Sequence, residues 1–493
     1  MQRCGAVVPG RKAGANWSSA PTPARFSLRD VTMTLDLANR TTAFAGTPPR
    51  RKARRSGPPD GALVAPLHWD TIRIALAVLN LLTISRIQEE IPIIAVFRPG
   101  PLLTAVCLLL AIMKPRTVRW NEVAGSKPAR NVLILFGLMF ALAPLGLSVG
   151  ASATYILDRF LATMVFFVLI VIATRDISDL RFLIGSYVIS MLILAYSAFF
   201  LWETTNFNGF ERVGSKGMYD ANDLAPLFGA GLPMALLFAQ TSGRLGRWLG
   251  YAAAICTPAV IALTGSRGGF LALIATALGL LVMTPGMTAA RRVGIVVTAT
   301  VVMAIAAPKG YIAKMGTIFD QKGDYNFTEQ TGRIAIWKRG LGFLAQHPLN
   351  GVGIGNYGRA QWENPTYSET GAQLPVQAPH NTFLEVLVEL GIPTFLFWAS
   401  VLWMGVVGLV QLKNRLPKRW LKESAERRFL YLACSYLPVS FLGWAVGAFF
   451  VSHAYLAPYY LLAAFLGSVV VMTRKQRRLA MLEARAAGPL ATR

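Results

Sequence analysis

Two arginines stand in settings that suit the binding of a phosphate. Arg267 lies in Thr-Gly-Ser-Arg-Gly-Gly at 264–269, and Arg333 lies in Thr-Gly-Arg-Ile-Ala-Ile-Trp at 331–337. A guanidinium presents a planar fork of donors to phosphate oxygens, and glycines let the backbone approach a ligand closely. On spacing alone, a snorkelling arginine at 267 and a solvated one at 333 fit equally well. The sequence predicts an anion site here without excluding those structural roles.

Two of the four histidines lie in segments that could supply a general base. His380 follows Pro379 and opens a helix-like stretch, and His347 precedes a glycine-rich run at 351–355. Histidine is the usual base near neutral pH, so His380 is the first candidate and His347 the second. A lone histidine is more often a helix cap or a packing residue. The glycine-rich run favours a tight loop over a dinucleotide site, because it does not join a strand to a helix.

Further polar residues are candidates for binding the substrate. Arg212 and Lys216 precede Asn222 in a polar stretch at 203–222, just before an apolar run. Asn222 is equally suited to cap the helix that this run predicts. Trp337 is expected to stack on a sugar, with anchoring at a membrane interface as the alternative.

The sequence gives no pattern for metal or redox chemistry. It contains no Asp-x-Asp run, and its four cysteines have no metal-ligand spacing. No Asp or Glu clearly interrupts the middle of a predicted span, as a pathway for protons or ions would usually require. We therefore expect neither a metal nor a cofactor.

The elements that must position these residues are long apolar segments. The chain has 493 residues, of which 54% are hydrophobic and only 15% charged. Its mean hydropathy is +0.46. A single buried core cannot absorb so many apolar runs, whereas a bilayer can. The fold class predicted is an all-α polytopic membrane protein of about twelve transmembrane helices, with runs at 71–85, 93–113, 131–148, 160–174, 181–202, 223–240, 248–264, 269–284, 291–308, 391–412, 429–451 and 455–473.

The distribution of Lys and Arg predicts the orientation. With the basic N-terminus in the cytoplasm, every second connection is rich in Lys and Arg, as the positive-inside rule expects. Both termini are then cytoplasmic, and the stretches 203–222 and 309–390 lie outside. The net charge of +25 reflects the Lys and Arg residues that this rule places in the cytoplasm. The basic tails are expected to contact anionic membrane lipids as well. A nucleic-acid partner is not expected, since no RNA- or DNA-binding module is visible.

Three regions are predicted. Residues 1–65 are basic and rich in Pro, Gly and Ser, which indicates a disordered cytoplasmic tail. Residues 66–473 form the membrane domain, whose outer loop, 309–390, is long enough to be functional and bears two amphipathic stretches, 333–346 and 380–390. Residues 474–493 form a second basic cytoplasmic tail.

Taken together, four motifs resemble those of the O-antigen ligase and polymerase superfamily. They are the Ser-Arg-Gly element at 266–268, the loop His-Pro-Leu-Asn-Gly-Val-Gly-Ile-Gly-Asn at 347–356, the segment Pro-His-Asn-Thr-Phe-Leu-Glu-Val-Leu-Val-Glu-Leu-Gly-Ile-Pro at 379–393 and the segment Asn-Asp-Leu-Ala at 222–225. Each is short, but their order and spacing agree over about residues 130–470. The N-terminal 65 residues fall outside the family pattern.

The resemblance implies a glycosyltransferase of lipopolysaccharide or other cell-surface polysaccharide biosynthesis in the bacterial inner membrane. Such enzymes move a glycan from an undecaprenyl-diphosphate carrier to lipid A-core, to another lipid-linked glycan or to a protein, on the periplasmic side. Arg267 and Arg333 would then stabilise the diphosphate leaving group. His380 would deprotonate the acceptor hydroxyl, Asn381 would contact substrate, and no metal would be needed.

Two other classes of function remain open from the sequence. A transporter of small anions would require an internal repeat and a site at mid-membrane depth, and no repeat at a fixed offset is visible. A non-catalytic scaffold of a polysaccharide-assembly complex would explain the apolar runs but not the outward-facing arginines and histidine.

Overall fold

The protein is described by a computed structural model that covers residues 70–113, 125–207, 210–214, 219–320, 322, 324–368 and 370–486. The predicted tail at 1–65 and the final residues 487–493 lie outside this range. Within it, nine helices are long and apolar enough to cross a membrane, and three shorter apolar helices accompany them. The chain is an all-α polytopic membrane protein. The expected count of about twelve spans is reached only if all three shorter helices also cross.

The first half of the described chain consists of helices and one hairpin. In order, these are α1 Thr71–Ser85, α2 Ile87–Glu90, α3 Pro92–Val96, α4 Pro99–Met113, α5 Lys127–Leu142, α6 Val149–Ala173, α7 Ile177–Leu201, the strands β1 Thr204–Phe207 and β2 Phe210–Val213, α8 Leu224–Thr241 and α9 Arg244–Thr264. The two strands pair antiparallel, with Thr204 opposite Val213.

The second half contains a long loop between two groups of apolar helices. Its elements are α10 Arg267–Met283, α11 Ala289–Ala306, α12 Tyr311–Gly316, α13 Tyr325–Thr328, α14 Arg333–Gln346, α15 Tyr357–Glu363, α16 Thr382–Asn414, α17 Trp420–Glu423, α18 Ala425–Ala448 and α19 Ala457–Ala486. Helices α6, α7 and α16 each contain a π-helical turn. We call residues 449–456, between α18 and α19, the connector.

Helix starts follow the polar residues that flank the apolar runs. The side chains of Asp70, Ser126, Asp176 and Ser266 each accept a hydrogen bond from the first turn of α1, α5, α7 and α10, as N-caps do. The predicted run 93–113 is interrupted, because Arg98 has left-handed backbone between α3 and α4. Lys314 of the long loop contacts Phe210 of the hairpin, and His380 of the loop contacts Ser452 of the connector, so the hairpin, the long loop and the connector share one end of the bundle, the loop end.

The centre of the bundle lies where α16, α18 and α19 meet. Trp398, Trp444 and Tyr459 are fully buried there, and the ring centroid of Tyr459 lies 4.9 Å from that of Trp398 and 4.8 Å from that of Trp444. Aromatic pairs at this spacing add packing energy beyond the area they bury. Both ends of the connector are therefore joined to helices, α18 and α19, that pack closely against each other.

The second predicted amphipathic stretch of the loop is not a separate helix. It forms the beginning of α16, which starts at Thr382 and bends at Gly391, where φ is 75° and ψ is 170°. A Cβ at Gly391 would lie 2.3 Å from the carbonyl oxygen of Leu349. The glycine thus lets the 347–356 loop rest on the bend of α16.

We expect Gly391→Ala to lower the stability of the protein by at least about 2 kcal/mol, because the bend needs a conformation that alanine disfavours and the new methyl group would overlap Leu349. The thermal unfolding temperature in detergent measures this effect. Gly408→Ala, in the same helix but with only ordinary contacts around the added atom, is the control. Equal unfolding temperatures for the two variants would show that the bend is not required.

Candidate functional site

Arg267 is fixed at the loop end by the long loop. It opens α10 directly after the Ser266 cap, and its guanidinium donates two hydrogen bonds to the carboxylate of Asp324, at 2.6 and 3.2 Å, and one to Thr317 at 3.1 Å. Burial by itself would raise the pKa of Asp324, but the hydrogen bonds from Arg267 and Asn326 outweigh it and lower this pKa. The ion pair therefore stays charged and holds Arg267 in one orientation.

Arg333 opens α14 and lies close to Arg267. It is half-buried, and its guanidinium carbon is 6.0 Å from the ring centroid of Phe450 in the connector. Burial and the positive charge of Arg267 lower its pKa, partly offset by Tyr325, Asp220 and Asp324. Within the described residues it forms no ion pair. A half-buried guanidinium without a carboxylate partner is suited to bind an anionic ligand.

Lys314 and Arg212 extend this positive region, and Lys314 was not foreseen from the sequence. The ammonium of Lys314 lies 3.8 Å from the ring centroid of Phe210 in β2. Burial, together with the charges of Arg212 and Arg267, lowers its pKa to about 8. Phe210 also covers Gly265, where a Cβ would lie 2.2 Å from the ring. The hairpin is thus seated against the turn that precedes Arg267.

His380 occupies an unusual backbone position next to the arginines. Its φ is 45°, and its N–H donates to the hydroxyl of Ser452 in the connector at 3.1 Å. The side chain retains exposed surface, yet the surrounding protein desolvates it, and this burial lowers its pKa, with the charge of Arg333 adding to the effect. Asp220 and Asp223 act in the opposite direction. His380 is therefore neutral near pH 7, as a general base must be.

A second histidine, His453, lies in the connector, next to the residue that contacts His380. His453 is 2% exposed, and its Nε2 lies 2.9 Å from a carboxylate oxygen of Asp223. Its N–H donates to Thr382, in the first turn of α16. Because Asp223 is engaged in this way, it fixes the turn at 220–223 to the connector rather than capping α8.

Two predicted binding residues have structural partners. The Nε1 of Trp337 donates to the carbonyl oxygen of Pro379 at 2.8 Å, which holds the segment before His380 against α14. The side-chain oxygen of Asn381 accepts from Phe383 and Leu384 at 3.0 and 3.1 Å, so it caps α16. Both residues position His380, and their predicted contact with substrate stays a prediction.

The remaining candidates are less closely associated with the arginines. His347 ends α14, and since a helix rises 1.5 Å per residue, it lies roughly 20 Å from Arg333. Asn222 does not cap α8: the cap position is Asp223, without a side-chain hydrogen bond, and the N–H of Asn222 donates to Asp220. Lys216 lies outside the described residues.

Two glutamates of α16, the buried Glu389 and the half-buried Glu385, belong to the 379–393 motif, but the sequence reasoning placed them in the loop and did not select them as site residues. The carboxylate of Glu389 accepts hydrogen bonds from the N–H groups of Gly355 and Tyr357, at 2.9 and 3.1 Å, and from the hydroxyl of Tyr455 at 2.7 Å. Glu385, one turn earlier, accepts from the N–H of Ala454. The two side chains hold the 347–356 loop and the connector against one helix.

We expect Glu389→Ala to lower the free energy of unfolding by at least about 3 kcal/mol, because each buried donor left unsatisfied costs roughly 1–3 kcal/mol. The apparent unfolding temperature in detergent tests this. Glu363→Ala is the matched control, since within the described part of the chain Glu363 forms a surface pair with Arg359 and no other ion pair. An unchanged unfolding temperature for the Glu389 variant would contradict the role given to this carboxylate.

The arrangement combines a positive region with an adjacent neutral imidazole. Arg267 and Arg333 provide donors in a partly dehydrated setting, where they stabilise developing negative charge more strongly than in water. His380 lies next to them, close enough for the charge of Arg333 to lower its pKa. Such a site can bind a phosphorylated ligand and remove a proton from a hydroxyl group placed beside it.

A comparison with protein families finds a match to the family described as O-antigen ligase over residues 252–399. This segment runs from α9 into α16 and contains Arg267, Arg333 and His380. The match confirms, over that segment, the resemblance inferred from the sequence, and it supports lipid-linked glycan transfer in polysaccharide biosynthesis. Among curated proteins, none matches the chain.

Proposed function

We propose that the protein, which carries an O-antigen ligase domain at residues 252–399, transfers a glycan from an undecaprenyl-diphosphate carrier to an acceptor hydroxyl. The acceptor is lipid A-core, another carrier-linked glycan or a protein. The observation that carries the proposal is the juxtaposition of Arg333, which has no ion-pair partner within the described residues, with His380: Arg333 lies against Phe450 and His380 donates to Ser452 of the same connector. Arg333 is suited to bind the negative charge of the diphosphate, and His380 is suited to accept the proton of the hydroxyl group.

In the proposed reaction, His380 takes the proton of the acceptor hydroxyl as its oxygen attacks the anomeric carbon. The bond from that carbon to the diphosphate breaks, and its electron pair passes to the diphosphate oxygen. Arg267 and Arg333 stabilise the departing charge, and Lys314 and Arg212 add positive potential at the rim. A diphosphate is a good leaving group, so it does not require protonation by a carboxylic acid. One displacement inverts the anomeric configuration.

The proposed setting is the inner membrane of a bacterium, with both termini in the cytoplasm and the loop end in the periplasm. The connections at the opposite end carry Arg175, Arg244, Arg247, Arg291 and Arg292, the distribution that the positive-inside rule expects of a cytoplasmic face. Carrier-linked glycans then meet the site at the periplasmic surface.

The decisive experiment measures transfer in proteoliposomes. Purified protein is incubated with an undecaprenyl-diphosphate glycan, each acceptor class in turn, and EDTA; glycan-bearing product and released carrier diphosphate are quantified. We expect transfer by the wild type and a loss of about 10²-fold or more in Arg267→Ala. The acceptor that is used separates a ligase from a polymerase.

Retained folding of Arg267→Ala is checked by its unfolding temperature, since Asp324 loses its partner. Arg267→Lys, which keeps the charge but not the two-pronged contact, is expected to recover part of the activity. Absence of transfer to every acceptor by folded wild-type protein would refute the proposed function. Transfer that EDTA abolishes would refute the metal-free mechanism alone.

A further inference from the structure

A large cavity lies beside the proposed reaction centre, between α1, α4 and α6. Its volume is about 940 Å³, at the upper end of the roughly 300–1,000 Å³ typical of small-molecule sites. Leu79 and Leu82 of α1, Leu108 of α4, and Val165 and Phe166 of α6 contribute to its walls. A cavity with such walls suits hydrocarbon chains better than a free sugar.

Charged residues also line this cavity, and two of the cations have no ion-pair partner within the described residues. Arg86 pairs with Glu89, whereas Arg98 and Arg159 form no ion pair. Asp158 is the other acidic residue of the lining. Both unpaired arginines are exposed, so they are accessible to an anionic head group. Hydrocarbon walls with available guanidinium groups fit an amphiphile that carries phosphate.

The connector links this cavity to the proposed donor site. Phe450 lies against Arg333, Ser452 accepts the N–H of His380, and Tyr455 lines the cavity. The connector thus runs from the positive region past the proposed base to the cavity within six residues.

The turn at 219–223 makes the same connection from the other side. Tyr219 lines the cavity, and the negative charges of Asp220 and Asp223 act on His380. His380 therefore lies between the positive region and the cavity. In a single displacement, the acceptor oxygen must approach the anomeric carbon from the side opposite the leaving group, and both substrates must be held in that geometry.

We propose that this cavity binds the lipid tail of the acceptor, with a phosphate of the acceptor head group at Arg98 and Arg159. The inference rests on the proposed function and deepens it, because it makes the acceptor a lipid rather than a protein. Two sources share this chemistry, an acylated glycolipid such as lipid A-core and a second carrier-linked glycan. The donor diphosphate remains with Arg267 and Arg333.

The kinetic test uses a substitution that fills the cavity. Ala105 of α4 lines it, and we expect Ala105→Trp to raise the KM for the acceptor by about 10-fold or more while the KM for the donor stays unchanged. Val106→Trp is the matched control, since Val106 is the next residue of the same helix, is partly exposed and does not line the cavity. Arg98→Gln is expected to raise the acceptor KM by several-fold, as loss of a charge-assisted contact does.

A binding test requires no turnover. Wild-type protein in proteoliposomes is irradiated with lipid A-core, an undecaprenyl-diphosphate glycan or phosphatidylglycerol, each bearing a diazirine in its hydrocarbon chain, and labelled peptides are mapped. We expect one of the two glycan-bearing probes to label α1, α4 and α6, and Ala105→Trp but not Val106→Trp to abolish that labelling. The successful probe identifies the source of the lipid.

The outcomes separate this inference from the proposed function. Transfer by the wild type together with an unchanged acceptor KM in Ala105→Trp would overturn the acceptor site and leave the proposed function standing. Labelling by phosphatidylglycerol that neither glycan-bearing lipid displaces would overturn it as well, because the cavity would then hold bulk lipid. Specific labelling without any transfer would refute the proposed function and retain a glycolipid site.

Discussion

Arg333→Ala is expected to reduce the rate of glycan transfer by about 10²–10³-fold, the usual effect of removing one preorganised donor from a developing negative charge. Arg333 has no ion-pair partner within the described residues and lies over Phe450, so its removal leaves no carboxylate unpaired. The unfolding temperature should change little. Release of carrier diphosphate, measured at saturating donor, reports the loss.

A matched control distinguishes this role from a general effect of positive charge. Arg359 also lies in the long loop, but it is exposed and paired with Glu363, and Arg359→Ala should retain nearly full activity. Arg333→Lys should fall between the wild type and the alanine variant, because an ammonium is a point charge rather than a planar fork. Equal activity in Arg333→Ala and Arg359→Ala would remove Arg333 from the mechanism.

His380→Ala is expected to lower the rate by about 10²–10⁴-fold, the usual contribution of a general base. The pH profile provides an independent signature. Burial and the charge of Arg333 lower the pKa of His380 from its ordinary value of about 6.5. The neutral imidazole is the active form, so the wild-type rate should stay level from pH 7 to below 6.5 and fall only when the pH passes through the lowered pKa.

The acid limb of this profile should be absent from the residual activity of His380→Ala. His347→Ala is the control, because His347 lies at the far end of α14, and its rate and profile should match those of the wild type. A profile of His380→Ala that still falls with the wild-type midpoint would assign the base to another group. A loss of activity in His347→Ala equal to that in His380→Ala would indicate a structural effect on the loop.

The sequence predicted the elements better than the pairings within the site. Apolar runs and their polar flanks are local signals, so most helices lie near their predicted positions. The partners of the charged residues are not local: Asp324 is 57 residues from Arg267, and Asp223 is 230 residues from His453. Such pairs form only when helices that are distant in sequence pack together, and a single sequence carries no sign of them.

The glutamates of α16 show a different kind of failure. Carboxylates inside an apolar segment are disfavoured, so the predicted span began at 391, after Glu385 and Glu389. In the structure the helix begins at Thr382, because backbone N–H groups and a tyrosine hydroxyl satisfy both carboxylates. Tertiary hydrogen bonds thus lengthened a helix that hydropathy alone would shorten.

The hydrogen bonds of Glu389 also constrain the order in which the protein matures. Gly355 precedes Glu389 by 34 residues, so the ribosome makes the loop before the helix that will hold it. In the proposed topology the loop is translocated while its N–H groups are hydrated, and it can dock only after α16 has been inserted. Assembly of the site is therefore a late step of biogenesis, and a Glu389 variant should be integrated into the membrane normally but remain sensitive to protease in this loop.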